Sequence, residues 1–199
     1  MRTTTTIFLI ILSLLASGKA WSQGEGSYSY SETEHFFIER YTDSDLSTDY
    51  LTLKHEPPAQ WVDGMNSGYY FQFNKAMTEQ DFVGILRDEL IKPYLGAVLD
   101  TLPADKLKEF RRVRLVYQFD KAQRYLGCKL EVPGGFFNRY PQYEPLLYAW
   151  AQGVKGFDFT RYKIKFHNEE RFGFGELSIY PAYYINWLKR QRSEKARTQ

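Results

Sequence analysis

The chain predicts an α+β fold, an antiparallel sheet with helices packed on one face. Three observations carry that expectation. From Arg112 to Phe119 and again from Leu126 to Val132, apolar side chains alternate with polar ones, which is the period of an extended strand with one buried face. A polar connection, Asp120-Lys-Ala-Gln-Arg124, is short enough to join the two runs as an antiparallel hairpin. The segment behind them ends in Leu146-Leu-Tyr-Ala-Trp150-Ala-Gln-Gly153, and Leu146, Leu147 and Trp150 share a helix face. The inward set is Val113, Leu115, Tyr117 and Phe119 with Leu126, Cys128, Leu130 and Val132. Burying it roughly offsets the entropy of ordering the hairpin, so the hairpin needs a cover, and the following helix is the candidate.

At the N-terminus, Arg2 precedes an apolar run from Ile7 to Ala16, and small residues follow at Gly18 and Ala20. This is the pattern of a secretory signal peptide, residues 1–20, cleaved after Ala20 or alternatively after Ser22. The run is about half the roughly 20 residues that a bilayer core requires, and no later stretch is long and apolar enough to cross a membrane. Removing it takes Arg2 and Lys19 and no acid, so 26 basic against 24 acidic residues become 24 against 24. A neutral mature protein argues against nucleic acid as a partner. Cys128 is the one cysteine, which excludes an internal disulfide, and its place in register with Leu126 and Leu130 reads as packing. No Asn-X-Ser/Thr sequon occurs. Together these point to the periplasm or cell surface of a bacterium.

Residues 21–31, rich in Gly, Ser and Tyr, read as a flexible leader, and residues 32–188 as a single α+β domain. His35–Tyr41 and Tyr50–Lys54 are short strands joined by the acidic stretch Thr42–Asp49, where Asp43 and Asp45 form a solvated turn or, with a third ligand, a cation site. Gly68–Phe73 is another strand candidate. Thr78 with Asp81 three residues on is a capping-box start for a helix that carries Phe82, Ile85, Leu86, Glu89 and Leu90. Lys92-Pro93 should end or kink it; Tyr94–Leu102 resumes, and Pro103–Phe110 forms another short helix. Gly153 is placed to stop the helix behind the hairpin. Arg161–Phe166 and Gly175–Ile179 are strands, Tyr183–Leu188 is a last short helix, and residues 189–199 are a basic, solvated tail.

The order helix, hairpin, helix, strand from about residue 78 to 180 resembles the C-terminal domain of the TonB family. The residues that suggest it are Val113–Asp120, Leu126–Val132, Leu146–Trp150, Phe157–Phe159 and Leu177–Tyr180. The resemblance implies a small sheet with a covering helix, and an edge strand that pairs with a partner peptide. Three features depart from that family: no retained membrane anchor, no Pro-rich spacer, and no Gly in the hairpin turn.

No local spacing marks a catalytic or cofactor site. His35, His55 and His167 do not cluster at zinc-ligand spacing, and there is no nucleophile elbow, P-loop or dinucleotide fingerprint. No metal and no cofactor is expected. A hydrolase whose carboxylates meet only in the fold is invisible to local spacing and stays open as the third reading. The compositional anomaly is aromatic: 15 Phe, 16 Tyr and 4 Trp in 199 residues. Phe136, Phe137, Asn138, Arg139, Tyr140 and Tyr143 lie between elements behind Gly134-Gly135, and are the candidate ligand-binding residues. Flat rings supply stacking area and Asn138 and Arg139 supply hydrogen bonds, which suits a sugar or a peptide; the competing expectation is a loop folded back to plug the sheet. The expectation is therefore an exported, non-enzymatic interaction protein, binding an envelope protein or peptide by strand addition, with a glycan or small-ligand binder as the alternative.

Overall fold

The computed structural model describes residues 26–43, 46–56, 71–72, 77–120, 122, 124–162, 165–166 and 174–198. In chain order the strands are β1 (Ser27–Glu32), β2 (Phe36–Asp43), β3 (Leu46–Leu53), β4 (Phe71–Gln72), β5 (Arg114–Asp120), β6 (Tyr125–Pro133), β7 (Lys165–Phe166) and β8 (Phe174–Ile179). Six of them form one antiparallel sheet in the order β1-β2-β3-β6-β5-β8, and β4 pairs with β7 in a small second sheet. The helices are α1 (Glu79–Ile85), α2 (Lys92–Thr101), α3 (Ala104–Phe110), α4 (Phe136–Arg139), α5 (Glu144–Lys155) and α6 (Ala182–Thr198). The protein is an α+β fold, as the sequence predicts.

The core lies between the helices and one face of the sheet. Leu115 sits opposite Leu130 on one side and Ile179 on the other, and the same row continues through Leu51 to Ile38. Against these strands pack Phe82, Leu86, Leu90, Leu95 and Leu99, then Leu147, Trp150, Ala151 and Val154 of α5, and Tyr184 and Ile185 of α6. The α5 cover predicted for the hairpin is in place: Leu147 and Trp150 are fully buried, and Leu146 is half-buried.

Five expectations shift. The hairpin carries a bulge after Gln118, so Gln118 faces Gly127 but Phe119 faces Tyr125. Leu126 is the extra residue, and Tyr125 takes the place beside Tyr117 that strict alternation assigns to Leu126. Pro93 does not end its helix. In a regular helix its ring strikes the carbonyl four residues back, but here α1 passes into a π-helical segment, Leu86–Ile91, and Lys92 N–H bonds the Arg87 carbonyl five residues back. That wider turn absorbs the proline and lets α2 follow without a break. Gly153 does not stop α5, which runs to Lys155; the glycine lies where a Cβ would overlap the Tyr94 ring. Arg161 and Tyr162 belong to a 3-10 turn, Phe159–Tyr162, with β7 limited to Lys165–Phe166, and α6 continues through the basic segment to Thr198 instead of fraying after Leu188. Gly68–Tyr70, Phe73, Asp45 and the signal segment lie outside the described residues.

Candidate functional site

The leader expected at residues 21–31 is in part a strand. Ser27-Tyr-Ser-Tyr-Ser-Glu32 alternates with period two, and β1 pairs with β2 over six residues without a register shift. The turn fixes which backbone groups face outward. Thr33 N–H donates to the Phe36 carbonyl at 2.9 Å, which makes that pair the hydrogen-bonded kind. Antiparallel pairs alternate between bonded and non-bonded, so Ser31, Ser29 and Ser27 exchange bonds with β2, while Tyr28, Tyr30 and Glu32 turn their N–H and C=O away from it. All six β1 residues are exposed. The strand carries no Pro, Lys or bulge of the kind that protects an edge. At the other end of the sheet, β8 is the second edge, and its Gly175, Glu176, Leu177 and Ile179 are buried.

The face of the sheet turned away from the helices divides into two halves. Over β1, β2 and β3 it is aromatic and open. Tyr28 lies across from Tyr41 with ring centroids 5.0 Å apart, Tyr30 lies across from Glu39 and donates its hydroxyl to Oε1 at 3.0 Å, and Glu32 lies across from Phe37. Tyr28, Tyr30 and Phe37 are 51%, 64% and 53% exposed, values that set them apart from the buried rings of the core. Lys54 Nζ stands 5.3 Å from the Phe37 ring and pairs with Glu32 at 3.1 Å.

Over β5, β6 and β8 the same face is a buried polar network. Arg114 binds Glu131 at 3.1 Å and donates twice to Ser178 Oγ at 2.9 and 3.0 Å. Lys129 reaches Glu131 at 3.5 Å, and Gln118 donates to Glu176 at 2.5 Å. Burial pulls the Lys129 ammonium below its ordinary range against the opposing pull of Glu131 and Glu176. Tyr50 bridges the halves, beside Glu39 on one side and Glu131 on the other; burial first, then the Glu131 charge, pushes its phenol up.

The sequence-predicted residues sit elsewhere. Phe136 and Phe137 are core side chains: Phe136 meets Phe110 edge-on at 5.5 Å, and Phe137 stacks on Phe36 at 5.8 Å. Tyr140 and Tyr143 are half-buried; the Tyr140 hydroxyl accepts from Lys106 Nζ at 3.0 Å, and Tyr143 packs on Phe110 at 5.0 Å. Asn138 and Arg139 are exposed, and Arg139 is held by the Gly134 carbonyl at 2.8 Å and by Glu109 at 3.2 Å. Phe136 and Phe137 thus plug the end of the sheet, with Tyr140 and Tyr143 packed partly against them, while Asn138 and Arg139 stay at the surface. Of the rings that are presented, Phe37 belongs to the strand expected at His35–Tyr41, while Tyr28 and Tyr30 lie in a segment with the composition of a linker. Its Ser/Tyr alternation was the available signal.

The buried carboxylates among the described residues each have a partner, Asp49 with Arg40 at 2.6 Å and Glu176 with Gln118, and so does the half-buried Glu131, with Arg114 and Lys129. No group of three or more His, Cys, Asp or Glu among the described residues is placed to hold a metal ion. A groove of about 540 Å³ runs between α1 and α6, lined by Val83, Gly84, Arg87, Tyr183, Trp187 and Arg190 among others. Its Arg87 is already bound to Asp88 and lies 5.2 Å from the Trp187 ring. Among the described residues no helix is long and apolar enough to cross a membrane.

Set beside known proteins, the chain matches no family model, no curated protein and no solved structure. Among the described residues, fold and site define a class: an α+β fold with an exposed edge strand, β1, and an aromatic face beside it.

Proposed function

We propose that this is an exported, non-catalytic binding protein of the bacterial envelope that takes an extended segment of a partner protein along the outer edge of β1. The observation that carries it is the edge itself. Tyr28, Tyr30 and Glu32 direct backbone donors and acceptors outward from an exposed strand that lacks the usual guards. An added strand pairs along an outward-facing edge of this kind and gains side-chain contacts on alternate residues. Export rests on Arg2, the apolar run Ile7–Ala16 and the small residues Gly18 and Ala20.

The test has two parts. Expressed with its own N-terminus in a Gram-negative host, the protein should reach the periplasmic fraction and begin at Trp21. Immobilised there, it should retain an envelope partner that a Glu32→Pro variant loses, because proline removes an outward N–H at an edge position while leaving the β1–β2 ladder intact. Glu32→Gln, which keeps the N–H, should retain it. Cytosolic location, or equal retention by Glu32→Pro, overturns the proposal.

A further inference from the structure

We infer a second binding site, on the side chains and not the backbone of the same meander: the open face formed by Tyr28, Tyr30 and Phe37 is a stacking platform for a neutral polysaccharide. The three rings belong to two adjacent strands. Tyr28 and Tyr30 are two residues apart, about 7 Å along the strand, and Phe37, opposite Glu32 on the neighbouring strand, lies diagonally from Tyr30 at about 7 to 8 Å. They therefore form a strip of exposed rings on one side of the sheet. Three large aromatic side chains more than half exposed on one face mark an interaction site, since single exposed apolar residues are ordinary but a cluster is not.

Charge decides what occupies the strip. The face carries Glu32, Glu39 and Asp43 against Lys54, so it is acidic. Anionic lipid headgroups, acidic polysaccharides and nucleic acid are repelled. A second copy of this chain laid face to face sets Glu39 and Asp43 against the same carboxylates, which costs specificity and energy. A wholly apolar partner surface leaves the Glu39 carboxylate desolvated between rings. A sugar chain meets both requirements. The C–H faces of its rings pack on the aromatic faces, while its hydroxyls donate to the Glu39 carboxylate and to the Tyr30 phenol oxygen, whose own proton goes to Glu39.

The test uses defined sugars: cellohexaose, xylohexaose, mannohexaose and chitohexaose by titration calorimetry, with cellulose and chitin sedimentation as the polymer arm. Alginate and phosphatidylglycerol vesicles are the anionic arm. The expected result is millimolar or tighter binding to at least one neutral glycan and none to the anionic probes. Tyr30→Ala and Phe37→Ala should each weaken it about tenfold or more, the loss of about 1.4 kcal/mol of stacking, while Tyr30→Phe, which keeps the ring, stays within about threefold. Thermal unfolding verifies that the alanine variants are folded, as their exposed side chains predict. No binding to any neutral glycan, preference for the anionic probes, or unchanged binding by both alanine variants overturns the inference. It does not rest on partner pairing at the β1 edge: that assay reads the backbone at Glu32 with an envelope extract, this one the rings at Tyr30 and Phe37 with pure sugars, so each fails alone.

Discussion

Asp49 and Gly135, 86 positions apart, share a hydrogen bond: the Gly135 N–H donates to Asp49 Oδ2 at 2.9 Å. Both carboxylate oxygens are also held by Arg40, whose Nε reaches Oδ1 at 2.6 Å and whose Nη2 reaches Oδ2 at 3.0 Å. One side chain thus ties β2, β3 and the turn behind β6, which is where the plug from Phe136 to Tyr143 begins.

Replacing Asp49 by Asn keeps the shape, removes the charge and turns one acceptor oxygen into an NH2 donor that faces either Arg40 Nε–H or the Gly135 N–H. A fully buried pair broken on one side loses about 3 to 5 kcal/mol. Asp49 is 3% exposed but Arg40 is 31% exposed and recovers water, so the loss should be nearer about 2 kcal/mol. Urea unfolding should show the midpoint lowered by about 1 M for a domain of this size. A shift too small to measure means that the triad adds nothing to stability.

The two glycines that follow β6 should respond differently. Gly135 sits at φ 69°, where an alanine strains the backbone by about 1 to 2 kcal/mol and asparagine by less. At Gly134 a Cβ would stand 2.0 Å from Ser47 Oγ and 2.9 Å from the Ser47 carbonyl carbon, so the β3–β6 contact has to open. Gly134→Ala should cost about 1 to 3 kcal/mol and, unlike Gly135→Ala, should not be relieved by choosing asparagine instead. Denaturant melts of Gly134→Ala, Gly134→Asn, Gly135→Ala and Gly135→Asn check the pattern.

These turn residues also show what was legible in the sequence and what was not. The hairpin and its covering helix are legible because alternation at Val113 to Phe119 and helical spacing at Leu147 and Trp150 follow the apolar face. The opposite face, with Val116, Gln118 and Lys129, is buried too, and its mostly polar residues read as solvated. The bulge at Leu126 could not, since a register shift depends on both strands and leaves no local mark. The plug was read as a candidate platform because exposure of Phe136 and Phe137 depends on Phe36 and Phe110, both distant in sequence. The true open rings, Tyr28 and Tyr30, lie on a strand that buries nothing. Without a buried face there is no hydrophobic pattern, and the segment looked like a linker.

The start of α1 gives a pH prediction. Thr78 donates its hydroxyl to Asp81 Oδ2 at 2.6 Å and its N–H at 2.9 Å, and accepts from the Asp81 N–H at 3.1 Å, the capping box that the Thr78/Asp81 spacing predicts. The hydroxyl first, then the amide, hold the Asp81 carboxyl below its ordinary 3.8. The unfolded chain therefore binds this proton at a higher pH than the native one does. The contribution to stability is present above 3.8 and lost as pH falls through the native value. In Thr78→Val, an NMR titration should find the Asp81 midpoint moved up toward 3.8, and an unchanged midpoint would sink the assignment.

Cys128 makes the opposite kind of prediction, at high pH. Its side chain is buried among the inward residues of β6, and burial pushes the thiol up from 9.0 to about 11. At pH 8 the native protein should not react with a thiol-specific disulfide reagent, and should release one equivalent of chromophore in denaturant. The unfolded chain ionises this thiol before the native one does. Its linkage therefore leaves stability untouched below 9.0 and lowers it as pH rises through about 11. Cys128→Ala lacks that linkage, and other groups that titrate in the same range are common to both proteins. The stability of the wild type relative to Cys128→Ala should thus fall by about 2 kcal/mol between pH 8 and pH 11.5, at about 1.4 kcal/mol per unit of pKa displacement. A difference that stays flat across that range would mean that the thiol is not held in the apolar layer between the sheet and α5.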